Sequence, residues 1–215
     1  MIKDFDLLQR ANNDYTTIDL EHAEELAYRE LIDSIRYISL GDECGVMGNI
    51  ANIITYKGRF YIQEEQFDRV FIYDDTGRCL KKIDNKERGP GEYLRIESID
   101  INTEKEELML VDGMSDKLFF YDLDGNFKSI HSIRYFQTEN TLCLRDSVFL
   151  HISAPSQNFG NEGLYGYALV LSKGNENFLK GYRYLPLQVG YKGGGQIFKG
   201  YERSCYHPIY SDTIY

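Results

Sequence analysis

The chain has 215 residues, with 18 Tyr and 12 Phe but no Trp, 19 Gly against 4 Pro, and a formal net charge of −10. A length of this order supports a full hydrophobic core, the aromatic and glycine content favours strands and tight turns over helices, and the negative charge excludes nucleic acid as an expected partner. No run reaches the roughly 18 apolar residues of a membrane helix, so no membrane span is expected, and Met1 to Arg10 lack the basic start and apolar stretch of a secretion signal.

In chain order, the first expected element is a short helix from Asp19 to Arg36. Asp19 would be its N-cap, and Leu20, Ala23, Ala27, Leu31 and Ile35 lie near helical spacing. Ile35, Tyr37, Ile38 and Leu40 read better as a strand, which ends the helix near Ser34. Residues 1–40 are therefore taken as an N-terminal extension with an entry strand.

From Ile50 the pattern becomes that of hairpins. Ile50 to Tyr56, Arg59 to Gln63, Arg69 to Tyr73 and Arg78 to Ile83 are four strands in series, joined by turns such as Lys57-Gly58 and Asp74-Asp75-Thr76-Gly77. The order then recurs in Ile99 to Ile101, Glu107 to Val111, Lys117 to Tyr121 and Asn126 to Ile130. Phe60 matches Leu108 and Tyr73 matches Tyr121 at one offset of 48 (108 − 60 and 121 − 73). Val70-Phe71-Ile72-Tyr73-Asp74 parallels Leu118-Phe119-Phe120-Tyr121-Asp122, each with a glycine three residues beyond its Asp.

A looser third copy runs through Ser147 to Ser153, an irregular polar insertion from Ala154 to Gly163, Tyr165 to Leu171, and Asn177 to Tyr182. A fourth opens at Gln196 to Tyr201, with a strand at Ser211 to Tyr215. Four-stranded repeats of about 40 to 50 residues, each unable to bury both faces alone, predict β-propeller blades. The expected fold is thus all-β, an incomplete propeller of about three and a half blades over residues 41–215, with units at 50–84, 95–131, 145–184 and 196–215. Its unpaired blade edge would favour self-association.

The stretch Asn85-Lys86-Glu87-Arg88-Gly89-Pro90-Gly91-Glu92-Tyr93, followed by Ile96, Ile99 and Ile101, resembles the GPGEY linker of a Bacteroides-type six-bladed β-propeller family, itself NHL-like in pattern. Leu31 to Leu40 resembles that family's entry strand and Ser211 to Tyr215 a strand of its later blades. The resemblance implies an envelope or periplasmic protein, commonly a lipoprotein and close to twice this length. It supplies no catalytic residue. If Met1 is the true start, the expected address is cytoplasmic and the chain a truncated propeller.

In the linker, Gly89 and Gly91 permit backbone angles closed to other residues while Pro90 fixes its own. Arg88, Glu92 and Tyr93 are the candidate binding residues. The plainer reading is a rigid connector whose Tyr packs between sheets and whose Glu caps amides.

Asp122-Leu123-Asp124-Gly125-Asn126 offers carboxylates two apart but has Phe127 and Ile133 where a calcium loop needs Gly and Glu, so it reads as a turn. Cys44, Cys79, Cys143 and Cys205 form no close pair and are read by default as lone thiols; their even number permits disulfides in an oxidising compartment, which a chain this size does not need in order to fold.

His22, His131, His151 and His207 are scattered, so a metal site would need several blades. Gly193-Gly194-Gly195 lacks the Lys of a phosphate loop. Tyr182, Tyr184, Tyr191 and Tyr201 suit either carbohydrate stacking or packing between blades.

No catalytic residue, metal or cofactor is assigned. The function expected is a binding or interaction scaffold for an unidentified protein or glycan; the alternatives are a metal-dependent lyase or hydrolase of NHL-propeller type and a truncated propeller without independent function.

Overall fold

The structure, a computed structural model, describes residues 32–87, 89, 91–133, 138, 140–145, 147–152, 164, 166–174, 177–184, 196–199 and 204–207. The helix expected from Asp19 falls outside them as far as Leu31, as do His22, the insertion from Ala154 to Gly163, the triple glycine at Gly193, Tyr191, Tyr201 and the stretch Ser211 to Tyr215.

The fold is all-β and propeller-like, its strands gathered in antiparallel sheets. Blade 1 consists of β1 (Ile50–Tyr56), β2 (Arg59–Glu64), β3 (Arg69–Asp74) and β4 (Cys79–Ile83), in that spatial order. Blade 2 repeats it with β5 (Ser98–Asn102), β6 (Glu107–Asp112), β7 (Lys117–Asp122) and β8 (Phe127–Ser132). Blade 3 contains β9 (Asn140–Arg145), β10 (Val148–Ile152), β11 (Tyr167–Lys173) and β12 (Asn177–Tyr184), and a further pair joins β13 (Gln196–Lys199) to β14 (Ser204–His207).

The repeat is a register as well as a spacing. Phe60 pairs with Tyr73 in blade 1, and Leu108 pairs with Tyr121 in blade 2. Asp74 accepts the amides of Thr76 and Arg78 across its turn, as Asp122 accepts those of Asp124 and Asn126. Gly77 and Gly125 hold φ of 88° and 80°, where a side chain would be strained.

Because side chains alternate across a strand, each blade buries two faces. The trailing face of blade 1 (Tyr61, Val70, Ile72, Ile83) packs on the leading face of blade 2 (Ile99, Leu108, Leu110, Phe119, Tyr121). The trailing face of blade 2 (Met109, Val111, Leu118, Phe120) meets Cys143 and Phe149 of blade 3. Beyond it Ile152, Ala168 and Leu169 gather around Tyr206 of β14. Side chains of this size contribute about 1.5–3 kcal/mol each when fully buried, so inter-blade packing is the main source of cohesion.

The structure departs from the sequence reading in three places. The entry strand expected over Leu31 to Leu40 is not a strand in its described part: residues 32–49 run without strand pairing, and Ile35, Tyr37 and Leu40 are exposed. The segment crosses the β3–β4 turn, where it gains one backbone bond, from Gly41 N to Gly77 O at 2.8 Å, instead of a sheet edge.

The first strand of blade 3 is β9, which precedes the stretch from Ser147 where that copy was expected to begin. The cysteines are not all lone thiols. Cys44 and Cys79 form a disulfide between Cα atoms 6.0 Å apart, while Cys143 and Cys205 are thiols. A separation of 35 residues gives no spacing motif, and only the fold brings the two together.

Candidate functional site

Two features lie at opposite ends of the strands between blades 1 and 2. The first is the connector carrying the linker motif. Gly89 N donates to Glu92 Oε2 at 2.5 Å, Glu92 N donates back to Gly89 O at 3.2 Å, and Gly91 holds φ at 84°. The loop is thereby closed on itself, and Tyr93 turns inward with no exposed surface. Its hydroxyl donates to Asp68 O at 2.8 Å and accepts from Asn85 N at 3.1 Å, and its ring meets Phe119 edge-on at 6.0 Å.

Burial pushes the Tyr93 phenol well above its ordinary pKa. Asp68 in turn accepts Ile96 N at 3.1 Å and pairs with Lys86, and Asp112 accepts Leu94 N at 2.7 Å. The connector is thus tied to the β2–β3 turn of one blade and the β6–β7 turn of the next. Glu92 is half-buried; Arg88 and Pro90 lie outside the described residues.

The second feature is a cleft of about 430 Å³ at the other end, lined by Lys57, Arg59, Glu106, Asp122, Leu123 and Asp124. It exists because the β1–β2 turn of blade 1 faces the β5–β6 and β7–β8 turns of blade 2. Arg59 Nη1 lies 2.7 Å from Asp124 Oδ1 and donates to Leu123 O at 2.8 Å, while Tyr61 OH donates to the same carbonyl at 3.1 Å. Lys57 pairs with Glu106, and each keeps about half of its side-chain surface, 52%, open to solvent.

Glu106 raises the Lys57 pKa and Asp124 raises that of Arg59, so both remain cationic. At Asp122 burial acts upward, but the Asn126 side chain and the turn amides outweigh it and the carboxyl is held below its ordinary range. The cleft therefore offers fixed charges of both signs to a polar ligand. Of its lining residues only Asp122, Leu123 and Asp124 draw notice in the sequence, as a calcium loop that reads instead as a turn; Lys57, Arg59 and Glu106 carry no binding signal of their own, because each turn reads alone as an ordinary hairpin.

A third polar cluster couples the first strands of blades 2 and 3. Lys199 Nζ of β13 lies 2.9 and 2.8 Å from the two oxygens of buried Asp100, and donates to Ile101 O at 3.0 Å and Cys143 O at 3.1 Å. Asp100 Oδ2 also accepts Cys143 N at 2.7 Å. Burial raises the Asp100 pKa, the Lys199 charge opposes it, and burial pushes the Cys143 thiol up to about 12. The available signal was one acid between two isoleucines, Ile99-Asp100-Ile101.

Of the histidines, His151 lies inside blade 3. Its Nδ1 is 2.9 Å from Thr141 Oγ1 and its Nε2 2.7 Å from Ser172 Oγ, and burial pushes its pKa down to about 3. Its ring is held by these hydroxyls within the blade. Among the described residues no three His, Cys, Asp or Glu side chains gather as a metal site. Nor is any described helix long and apolar enough to cross a membrane.

Residues 15–215 match the model of a family described as "Domain of unknown function (DUF4934)". No curated protein matches the chain. It is similar to a crystal structure from Bacteroides fragilis NCTC 9343 whose name infers that the protein is exported, with 18% identity and a TM-score of 0.73, covering 85% of this chain and 51% of that one.

It is also similar to a member of the DUF4221 family from Bacteroides vulgatus, with 10% identity and a TM-score of 0.48 over 79% of this chain and 54% of that one. For the WD40 repeats of RRP9 the figures are 9% and 0.43, over 61% and 37%. The chain spans about half the length of the B. fragilis protein, 51%, and the likeness is one of fold.

Proposed function

The chain belongs to the family described as a domain of unknown function, DUF4934, and for it we propose a non-enzymatic binding scaffold of propeller type whose ligand is a protein or a glycan. The observation that carries this reading is the charged cleft between blades 1 and 2, where turns from separate blades present Lys57, Glu106 and Asp122 around about 430 Å³. Sites of this volume suit a small polar group of a larger ligand. The connector is a second contact in this reading, to which Arg88 and Glu92 are assigned as binding residues, with Tyr93 setting the loop's shape from within.

The proposed compartment is the cell envelope or periplasm. Two things support it: the exported character inferred for the B. fragilis neighbour, and the Cys44–Cys79 disulfide, a bond that persists in oxidising compartments. A six-bladed, NHL-like ring and a lipoprotein anchor belong to the same proposal. For an open, incomplete ring, self-association through an unpaired blade edge is proposed instead, β1 of blade 1 leaving Ile50 and Ile53 exposed.

The test is a titration of the purified protein against oligosaccharides and envelope proteins by calorimetry. A ligand bound by the wild type should lose at least about tenfold in affinity with Lys57→Ala and with Glu106→Ala, the loss expected for a charge-assisted contact. Binding that survives both substitutions, or turnover of the ligand by the protein, would overturn the reading.

A further inference from the structure

We propose that residues 38–47 form a redox-releasable strap, which occupies the place of a preceding blade on blade 1 and is held there by the Cys44–Cys79 disulfide. The argument starts from the repeat. In blade 2 the leading face, Leu110, Phe119 and Tyr121 among others, is covered by the blade before it. The matching face of blade 1, Ile62, Phe71 and Tyr73 with Phe60, is covered by Cys44 and Met47 of the strap.

The turns tell the same story. A side chain at Gly125 would press on Ile72 and Lys81 of blade 1, its Cβ 2.9 Å from each. One at Gly77, its equivalent 48 residues earlier (125 − 77), would press on Ile38 and Ser39 of the strap, with the Ser39 carbonyl oxygen 2.0 Å away. Strap and neighbouring blade thus contact equivalent atoms of successive units.

A blade is held by a whole apolar face, whereas the strap is held by few contacts. Gly41 N donates to Gly77 O at 2.8 Å, Tyr73 OH donates to Gly41 O at 3.3 Å, and Arg36, ahead of the strap, donates to Asp75 O at 2.6 Å. The strap has no strand partner, and Leu40 and Val46 within it stay exposed. The covalent bond to β4 therefore supplies much of its attachment, by keeping the segment near a face it would otherwise leave.

The two sulfurs differ in access: Cys79 is buried, whereas Cys44 is half-buried between exposed Glu43 and Gly45. A dithiol reductant, small molecule or protein, would attack at Cys44. Its thiolate bonds to Cys44 Sγ, the Cys44–Cys79 bond breaks, and Cys79 leaves as a thiolate that takes a proton. The reductant's second thiol then displaces Cys44, also as a thiol. Two electrons and two protons pass to the protein, the reductant becomes a disulfide, and the leading face of blade 1 is free to open.

The test is amide hydrogen exchange with mass spectrometry on the full chain, before and after dithiothreitol, with thiol titration to follow the bond. Reduction should speed exchange in residues 38–47 at least tenfold and leave β5–β8 unchanged. Reoxidation should reverse it, and a Cys44→Ser, Cys79→Ser variant should exchange like the reduced protein.

Unchanged strap protection after complete reduction would overturn the proposal. So would simultaneous loss of protection in every blade, which would make the disulfide a support of the fold. Titration of four free thiols in protein prepared under oxidising conditions would overturn it as well. If the double variant does not fold, the reduced wild type decides the matter alone.

Discussion

At the scale of single residues, His151 shows how a titratable group becomes a structural one. Its two ring nitrogens meet Thr141 and Ser172, and Thr138 extends the network by donating to Ile152 O at 2.9 Å. The ring is fully buried, and burial disfavours a proton on it. The unfolded chain takes up that proton near pH 6.5, the folded one only near 3. Between those values the unfolded state binds more protons, and stability falls as the pH falls, by about 1.4 kcal/mol per unit. His151→Gln keeps hydrogen-bonding capacity without the titration. Urea unfolding at pH 7 and pH 5 should therefore show the wild type losing about 2 kcal/mol more than the variant over that interval; equal losses would mean that His151 is protonated in the folded protein.

At the scale of elements, the Lys199–Asp100 pair fastens β13 to β5 and β9. Lys199→Met should cost about 3 kcal/mol, because it leaves a carboxylate buried without its partner. Asp100→Asn combined with Lys199→Met should recover part of that loss, since the amide carries no charge and its oxygen can still accept Cys143 N. A double-mutant cycle by chemical denaturation measures both, and additive losses would show that the pair is not coupled. The contrast with β3 and β7 explains what was legible in the sequence. Those strands announce themselves because each is a short apolar run closed by its own Asp-to-Gly turn, and their likeness survives as one register. The strap, the disulfide and the Asp100 clasp depend on contacts 32 to 99 residues apart, for which a single sequence has no local pattern. The cleft was hidden for the same reason, being the space between turns that are each unremarkable. The linker motif was conspicuous through its glycines and proline; its Tyr93 acts inward, on packing.

At the scale of the whole molecule, stability accrues blade by blade, each face needing a neighbour. Blade 1 is where this accounting is incomplete. The strap covers the leading face over β2, β3 and β4, but Ile53, which pairs with Ile62 across the sheet, remains 51% exposed and Ile50 48%. By the repeat, this is the side of the blade that in blade 2 receives the trailing face of its neighbour. The self-association proposed above would place a second copy there and remove from water the apolar surface the strap leaves bare. Sedimentation velocity should show a sedimentation coefficient that rises with concentration for the wild type. Ile53→Lys places a charge in the middle of the contact, where desolvating it without a partner outweighs the gain from the remaining apolar area. The variant should weaken association at least about tenfold while its thermal unfolding stays close to that of the wild type, because Ile53 lies outside the packed clusters of the single chain. Association undiminished by Ile53→Lys would place the contact elsewhere on the molecule, and a wild type that sediments alike at all concentrations would mean that this face does not recruit a second copy.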